Sequence, residues 1–130
     1  MLWLIRHVKD NRGQTLVEFA LILPVLLLLV VGMMDFGLIL NQQMIMAEAA
    51  REGARSAALG GNNGTVTTVA RTAAGAIDIA QLTVTITPDL RIRGEAVTVR
   101  VTNPVRITQL VRPFLPDGFV VQGTATMRVE

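Results

Sequence analysis

The dominant feature of the hydrophobic pattern is one long apolar run near the amino terminus. Between Leu16 and Leu40 the charged residues are Glu18 and Asp35. A helix needs roughly 20 apolar residues to cross a hydrocarbon layer about 30 Å thick. The run is long enough for this, and it predicts a helix that spans a membrane.

The helical pattern continues beyond the apolar run. From Gln14 the strong helix breakers are Pro24 and then the glycine-rich loop at 60–64, which predicts one helix of about 46 residues, roughly 69 Å long at about 1.5 Å per residue. Residues 14–40 would cross the membrane, and residues 41–59 would lie outside it. Because proline lacks an amide hydrogen and its ring clashes with the preceding turn, we expect a kink or a looser turn at Pro24.

The outer half of this helix, residues 41–59, is amphipathic. Small side chains recur at three- or four-residue spacing, and charged residues occupy the other faces. The small-residue stripe consists of Ala47, Ala50, Ala54 and Ala57. It could pack on the protein's own sheet or against neighbouring subunits.

The pattern after the glycine loop predicts a small α/β module over residues 65–130. Thr65 could cap a short helix that runs to about Ala76. Strict alternation of apolar and polar residues predicts strands at 82–87, 96–105 and 121–129, the first two paired as an antiparallel hairpin. So small a unit needs another surface for its core. The predicted fold class is therefore α+β: a long membrane-spanning helix whose outer half packs on an antiparallel sheet of about three strands.

Charge is distributed unevenly along the chain. The formal net charge of +2 resides in residues 1–13, where Arg6, Lys9 and Arg12 outnumber Asp10, and the charges that follow balance. Basic residues that precede an apolar span tend to remain in the cytoplasm. We therefore expect a cytoplasmic amino terminus and an extracytoplasmic module. The high isoelectric point does not indicate nucleic-acid binding, because no basic face or reading motif accompanies it.

The composition offers little for catalysis. The chain has no cysteine, and its single histidine, His7, lies in the basic leader. The sequence has no nucleophile elbow, phosphate loop or metal-ligand spacing, so we predict neither an enzyme nor a bound metal or cofactor. In the outer module, Arg91, Arg93 and Arg100 are interpreted as a solvated strand face.

The segment Arg12-Gly13-Gln14-Thr15-Leu16-Val17-Glu18, followed by the apolar run, resembles the processing site of type IV prepilins. The resemblance implies that a prepilin peptidase removes residues 1–13 by cutting between Gly13 and Gln14 on the cytoplasmic side. A secretory signal is cut after its apolar region, whereas this cut would keep the apolar helix as an anchor. It would also remove the +2 charge that resists withdrawal of the helix from the membrane.

Two carboxylates lie near the ends of the predicted span. An acidic side chain at the bilayer centre costs about 2.5–3.5 kcal/mol, and less near an edge, so Glu18 requires a positive partner or a hydrated interface. Cleavage would create a positive partner, either the new amino group on Gln14, about one helical turn away, or that of an adjacent subunit. In pilins the matching glutamate is thought to pair with a neighbouring subunit's amino terminus. Asp35 lies about 26 Å farther along the helix, where we expect a solvated residue at the outer interface.

A wider pattern resembles the TadE-like family. It comprises Val17-Glu18-Phe19-Ala20-Leu21, then Pro24, then Asp35-Phe36-Gly37, and finally Ala49-Ala50-Arg51-Glu52-Gly53-Ala54-Arg55-Ser56-Ala57-Ala58. The resemblance implies a pilin-like protein of tight-adherence, or Flp-type, pili. The major pilins of these systems are much shorter and usually carry tyrosine after the glutamate. Phe19 and the large outer module therefore favour a minor pilin or pseudopilin that acts in pilus assembly.

The resemblance also implies partners and a location. The partners are the prepilin peptidase, other pilins or pseudopilins, the tight-adherence pilus machinery and membrane lipid, with no nucleic acid. The location is the cytoplasmic membrane, crossed once, or a surface pilus assembled from it. Two alternatives remain open: an uncleaved, membrane-anchored binding module for an extracytoplasmic ligand, and a secretory signal cut near Ala47–Ala50.

Overall fold

The computed structural model describes residues 11–75 and 77–130. In chain order, the helices and strands are α1 (Asn11–Ala58), α2 (Asn63–Ala73), β1 (Thr83–Thr87), β2 (Ala96–Pro104) and β3 (Val120–Arg128). Short 3-10 turns lie at Ile79–Gln81 and Arg112–Phe114. The α+β fold class is confirmed: a long amino-terminal helix packs at its outer half on a three-stranded antiparallel sheet.

Helix α1 already includes Asn11, the first described residue and three residues before the predicted start, and it continues through Pro24 without interruption. Its end follows the prediction from the glycine loop. Gly60 adopts a φ of 85°, which costs glycine little because it has no Cβ. The Gly61 amide donates to the Ser56 carbonyl and the Gly60 amide to the Ala57 carbonyl, so two carbonyls of the last turn are satisfied.

The start of α2 corrects one sequence prediction. Asn62, rather than Thr65, caps this helix: its side-chain oxygen accepts from the Thr65 amide at 2.8 Å. Thr65 lies in the first turn, where an amide hydrogen needs such a partner. Both residue types cap helices well, and the sequence pattern alone favoured the wrong one.

The sheet has the order β1-β2-β3, with both pairs antiparallel. Alternate side chains of β2, at Val97, Val99 and Val101, are buried as the period-2 pattern predicts, and Arg100 faces solvent. The buried face covers the outer half of α1 together with α2. The core comprises Met46, Ala49, Ala50, Ala54 and Ala57 of α1, Val66, Ala70 and Ala74 in and after α2, and Leu82, Val97, Val99, Val101, Val121 and Val129 of the sheet region.

Small residues allow the sheet to approach α1 closely. A Cβ added at Gly123 of β3 would lie 2.0 Å from the Met46 carbonyl oxygen, a backbone atom that cannot move aside. A Cβ added at Gly53 of α1 would meet a Val99 methyl at 3.1 Å. The backbones of α1 and β3 are therefore in direct contact, and this contact requires glycine at 123.

Strand β3 runs in the same direction as α1. Near its start, the Gln43 side chain donates to the Gln122 carbonyl at 2.8 Å. At its far end, the Glu130 amide donates to the Ala58 carbonyl at 3.0 Å. The end of the sheet that holds the β2–β3 connection therefore lies toward the apolar run, and the β1–β2 connection lies at the opposite end.

Candidate processing and assembly site

The predicted cleavage site lies in the first turns of α1. Gly13 is half-buried and Gln14 is exposed, and both are helical. Most of the predicted leader, including Arg6, His7 and Lys9, lies outside the described residues. The peptide bond after Gly13 lies in a helical turn. A protease that binds its substrate in extended form would have to unwind this turn before cutting.

The structure brings together Gln14 and Glu18. The Gln14 Nε2 atom donates to Glu18 Oε1 at 3.1 Å, across one turn of the helix. Both side chains are exposed. An amino group created on Gln14 by cleavage would start the helix one turn before this carboxylate. The pairing that the resemblance implies, with the amino terminus of a neighbouring subunit, stays a prediction.

Most of the apolar half of α1 is not covered by the other described residues, although Asp35 is buried and Ile39 is partly buried near its outer end. Its large side chains remain substantially exposed, and the most apolar window of the helix is unburied. Over residues 11–75 and 77–130, α1 is the one helix long and apolar enough to cross a membrane. Pro24 lies within this half. The predicted kink at Pro24 stays a prediction.

Asp35 corrects the sequence analysis. The expected solvated boundary residue is only 3% exposed. Its Oδ1 atom accepts from the Thr108 hydroxyl at 2.9 Å, and its Oδ2 atom accepts from the Thr108 amide at 3.1 Å. A carboxylate beside an apolar run is costly unless polar groups satisfy it, and the β2–β3 connection supplies two donors. The cost of placing a carboxylate in an apolar run is the one sign in the sequence that Asp35 needs a polar partner. Nothing in the sequence identifies that partner as Thr108, 73 positions away.

The small-residue stripe is explained by internal packing. Ala50, Ala54 and Ala57 are buried in the protein's own core, and Ala47 is half-buried. The charged residues of the same block point away from the core, with Glu48 and Arg51 in an exposed ion pair at 3.4 Å. Of the two interpretations of the stripe, packing on the protein's own sheet is confirmed.

The arginines of the outer module occupy different environments. Arg100 lies on the exposed face of β2, as predicted. Arg91 and Arg93 instead belong to the β1–β2 connection, so the prediction of one strand face was wrong for them. The half-buried Arg91 donates to the side-chain oxygen of Asn63, at the start of α2. Arg91 therefore links the far end of the sheet to α2.

Comparison with known families gives a match over part of α1. Residues 13–55 match the model of the family described as TadE-like protein. The matched segment begins at the predicted cleavage glycine and ends within the packed half of α1. This confirms the resemblance over the segment that carried it. No curated protein and no solved structure matches the chain.

Proposed function

We propose that this chain, TadE-like over residues 13–55, is a minor pilin or pseudopilin that a prepilin peptidase processes and that acts in assembling a tight-adherence pilus. The family match supports association with tight-adherence pili. The proposal adds the cut after Gly13, the role of Glu18 and the place of the protein in assembly.

The observation that carries the proposal is the arrangement at the start of α1. A glycine, an exposed glutamine and a carboxylate one turn later precede an apolar stretch of α1 that the other described residues leave mostly uncovered. Such a helix needs lipid or other subunits as its surroundings. A cut after Gly13 would remove the basic leader, keep this helix and place a positive amino group near Glu18.

The proposed mechanism has two stages. In the membrane, α1 anchors the subunit, and the peptidase unwinds its first turn to cut the bond between Gly13 and Gln14. In the assembling pilus, the apolar half of α1 packs against other pilins, and Glu18 pairs with an amino terminus in the low-dielectric interior, where opposite charges attract more strongly than in water. In this mechanism the chain is the substrate of the peptidase.

The outer module also has a role in the proposed function. Its core is built on the outer half of α1, so the sheet packs directly on the helix that provides the anchor. A module packed in this way can present a fixed surface beyond the membrane. We propose that this surface contacts the tight-adherence machinery.

The role of Glu18 provides the test. In a strain that lacks the native gene, piliation is measured after complementation with the wild-type chain, Glu18→Gln or Glu18→Ala. Glu18→Gln keeps the size of the side chain and its capacity to accept from Gln14 but removes the charge. Both variants should insert in the membrane normally and reduce piliation to a similar extent.

A matched control is Glu48→Ala. Like Glu18, Glu48 is an exposed carboxylate of α1, and its ion pair with Arg51 is exposed. Exposed pairs of this kind contribute about 0–1 kcal/mol, so this variant should support normal piliation. Full piliation by Glu18→Gln and Glu18→Ala would contradict the assembly role. Loss of piliation with all three variants would indicate a general defect of α1 rather than a role for Glu18.

A further inference from the structure

The β2–β3 connection, residues 105–119, forms a loop on the side of the module that faces the apolar run. We call it the near loop. At its base, the Val105 amide donates to the Phe119 carbonyl at 3.3 Å, which extends the hairpin ladder beyond Pro104 and Val120. Farther along, Thr108 is held by Asp35. The near loop therefore leaves the sheet and lies alongside α1 at the outer end of its apolar run.

The position of the near loop relative to a membrane follows from the helix. The Gln43 side chain, which donates to the Gln122 carbonyl of β3, lies about 12 Å beyond Asp35 along α1 at about 1.5 Å per residue. A hydrocarbon layer about 30 Å thick that begins near Leu16 would end near Phe36. Thr108 would then lie at the level of the outer boundary of the hydrocarbon layer, and the sheet would lie outside that layer.

The surface of the near loop suits such a boundary. Leu110 is 59% exposed and Phe114 is 74% exposed, so two large apolar side chains project from a loop. Arg112 lies between them in the sequence, and together with Arg106 and Asp117 it lines a cavity of about 360 Å³ within the loop. Apolar and aromatic side chains beside arginine are typical of the membrane interface, where the apolar parts reach acyl chains and guanidinium groups meet phosphates.

We propose that the near loop inserts into the outer-leaflet interface of the membrane that α1 crosses. Leu110 and Phe114 contact the acyl boundary, and Arg112 lies at the level of the lipid phosphates. The subunit then contacts the membrane through both α1 and the near loop. The Asp35–Thr108 contact fixes the position of the near loop along α1. This proposal requires that α1 crosses the membrane. It does not require that the leader is cleaved or that the protein acts in a pilus.

The absence of cysteine allows a direct test. The purified full chain, with single cysteines carrying a nitroxide spin label, is reconstituted in vesicles of phosphatidylethanolamine and phosphatidylglycerol. The labelled variants are Leu110→Cys and Phe114→Cys. Leu90→Cys is the aqueous control, because Leu90 is 84% exposed and belongs to the β1–β2 connection at the opposite end of the sheet. Leu27→Cys, within the apolar run, is the hydrocarbon control.

The measurement is the collision rate of each label with oxygen, which concentrates in lipid, relative to that with a water-soluble nickel chelate. Positions 110 and 114 should give ratios several-fold above position 90 and closer to position 27. Ratios at 110 and 114 equal to the ratio at 90 would overturn the proposal. A water-like ratio at 27 would overturn the span on which it rests.

A protein partner would give a different result. If the near loop bound another copy of the chain, labels at 110 and 114 would be shielded from both reagents. Their spectra would also show dipolar broadening that disappears when the labelled protein is diluted with unlabelled chain. That outcome would overturn insertion into lipid.

Discussion

Asp35 of α1 and Thr108 of the near loop lie 73 positions apart in the chain and share two hydrogen bonds, one from the threonine hydroxyl and one from its amide. The contact joins the outer end of the apolar run to the β2–β3 connection. It gives a structural reason for a carboxylate in an otherwise apolar stretch. It also fixes the position of the module relative to the apolar half of the helix.

Removing this contact should loosen the near loop. Asp35→Ala eliminates both acceptors, and a hydrogen bond of this kind contributes about 1–3 kcal/mol. Amide hydrogen exchange of residues 105–119, measured by mass spectrometry on the full chain in lipid nanodiscs, should accelerate about tenfold or more, since 1.4 kcal/mol corresponds to a factor of ten. Thr108→Val removes only the hydroxyl donor and should have a smaller effect.

The control for this prediction is Asp117→Ala, which removes an exposed carboxylate from the same loop. In this variant, amide hydrogen exchange of residues 105–119 should remain close to the wild-type rate. Equal exchange in the wild type and in Asp35→Ala would show that the contact does not restrain the near loop.

Gly123 should be the least replaceable residue of β3. In Gly123→Ala the new methyl group would meet the Met46 carbonyl, so the sheet must move away from α1. Overpacking in a core costs about 1–3 kcal/mol, and a clash with backbone lies toward or beyond the upper limit. The urea midpoint of the outer module, measured by pulse proteolysis of the full chain in detergent micelles, should fall accordingly.

Thr124→Ala provides the comparison for Gly123→Ala, because Thr124 is the adjacent residue and its side chain is exposed. Substitutions at such positions usually change stability by about 0.5 kcal/mol or less. Equal midpoints for the two variants would contradict the close approach of α1 and β3.

Gly13 should control the rate of processing through two effects. Glycine weakens a helix by about 1 kcal/mol relative to alanine, which helps the first turn to unwind, and its lack of a side chain allows an extended backbone in a protease groove. Gly13→Ala should therefore slow cleavage by prepilin peptidase, and Gly13→Leu should block it and leave a longer product. The products are followed by mass in membranes that contain the peptidase.

Gly32→Ala tests whether the effect belongs to position 13. Gly32 lies in the same helix, and an added Cβ there would have nothing within 4 Å. This variant should be processed at the wild-type rate. Normal processing of Gly13→Leu would remove Gly13 from the cleavage site.

The fold was largely predictable from the sequence because its signals are local. The apolar run predicts the long helix, and the glycine loop predicts where that helix ends. The alternation around Val97, Val99 and Val101 predicts a strand. The burial of the small-residue stripe also followed, since a small module needs a second surface for its core. The resemblance to the TadE-like family came from the same helix, where the family match lies.

The features that sequence reasoning missed depend on contacts between distant residues. Nothing near Asp35 reveals that Thr108 approaches it, and a charged residue at the end of an apolar run looks like a solvated boundary. The cap of α2 was misplaced for a different reason, because Asn62 and Thr65 are both suitable caps and their backbone angles decide between them. The close contact at Gly123 was likewise invisible, since a glycine in an alternating strand gives no indication of the backbone opposite it.

The most direct test of the proposed function is the intact mass and amino-terminal sequence of the protein purified from its native membranes. The measurement is made in the wild-type strain and in a strain that lacks the prepilin peptidase. We predict a mature chain that starts at Gln14 in the first strain and a chain that keeps residues 1–13 in the second. An intact leader in both strains would contradict processing and favour the uncleaved, membrane-anchored binding module.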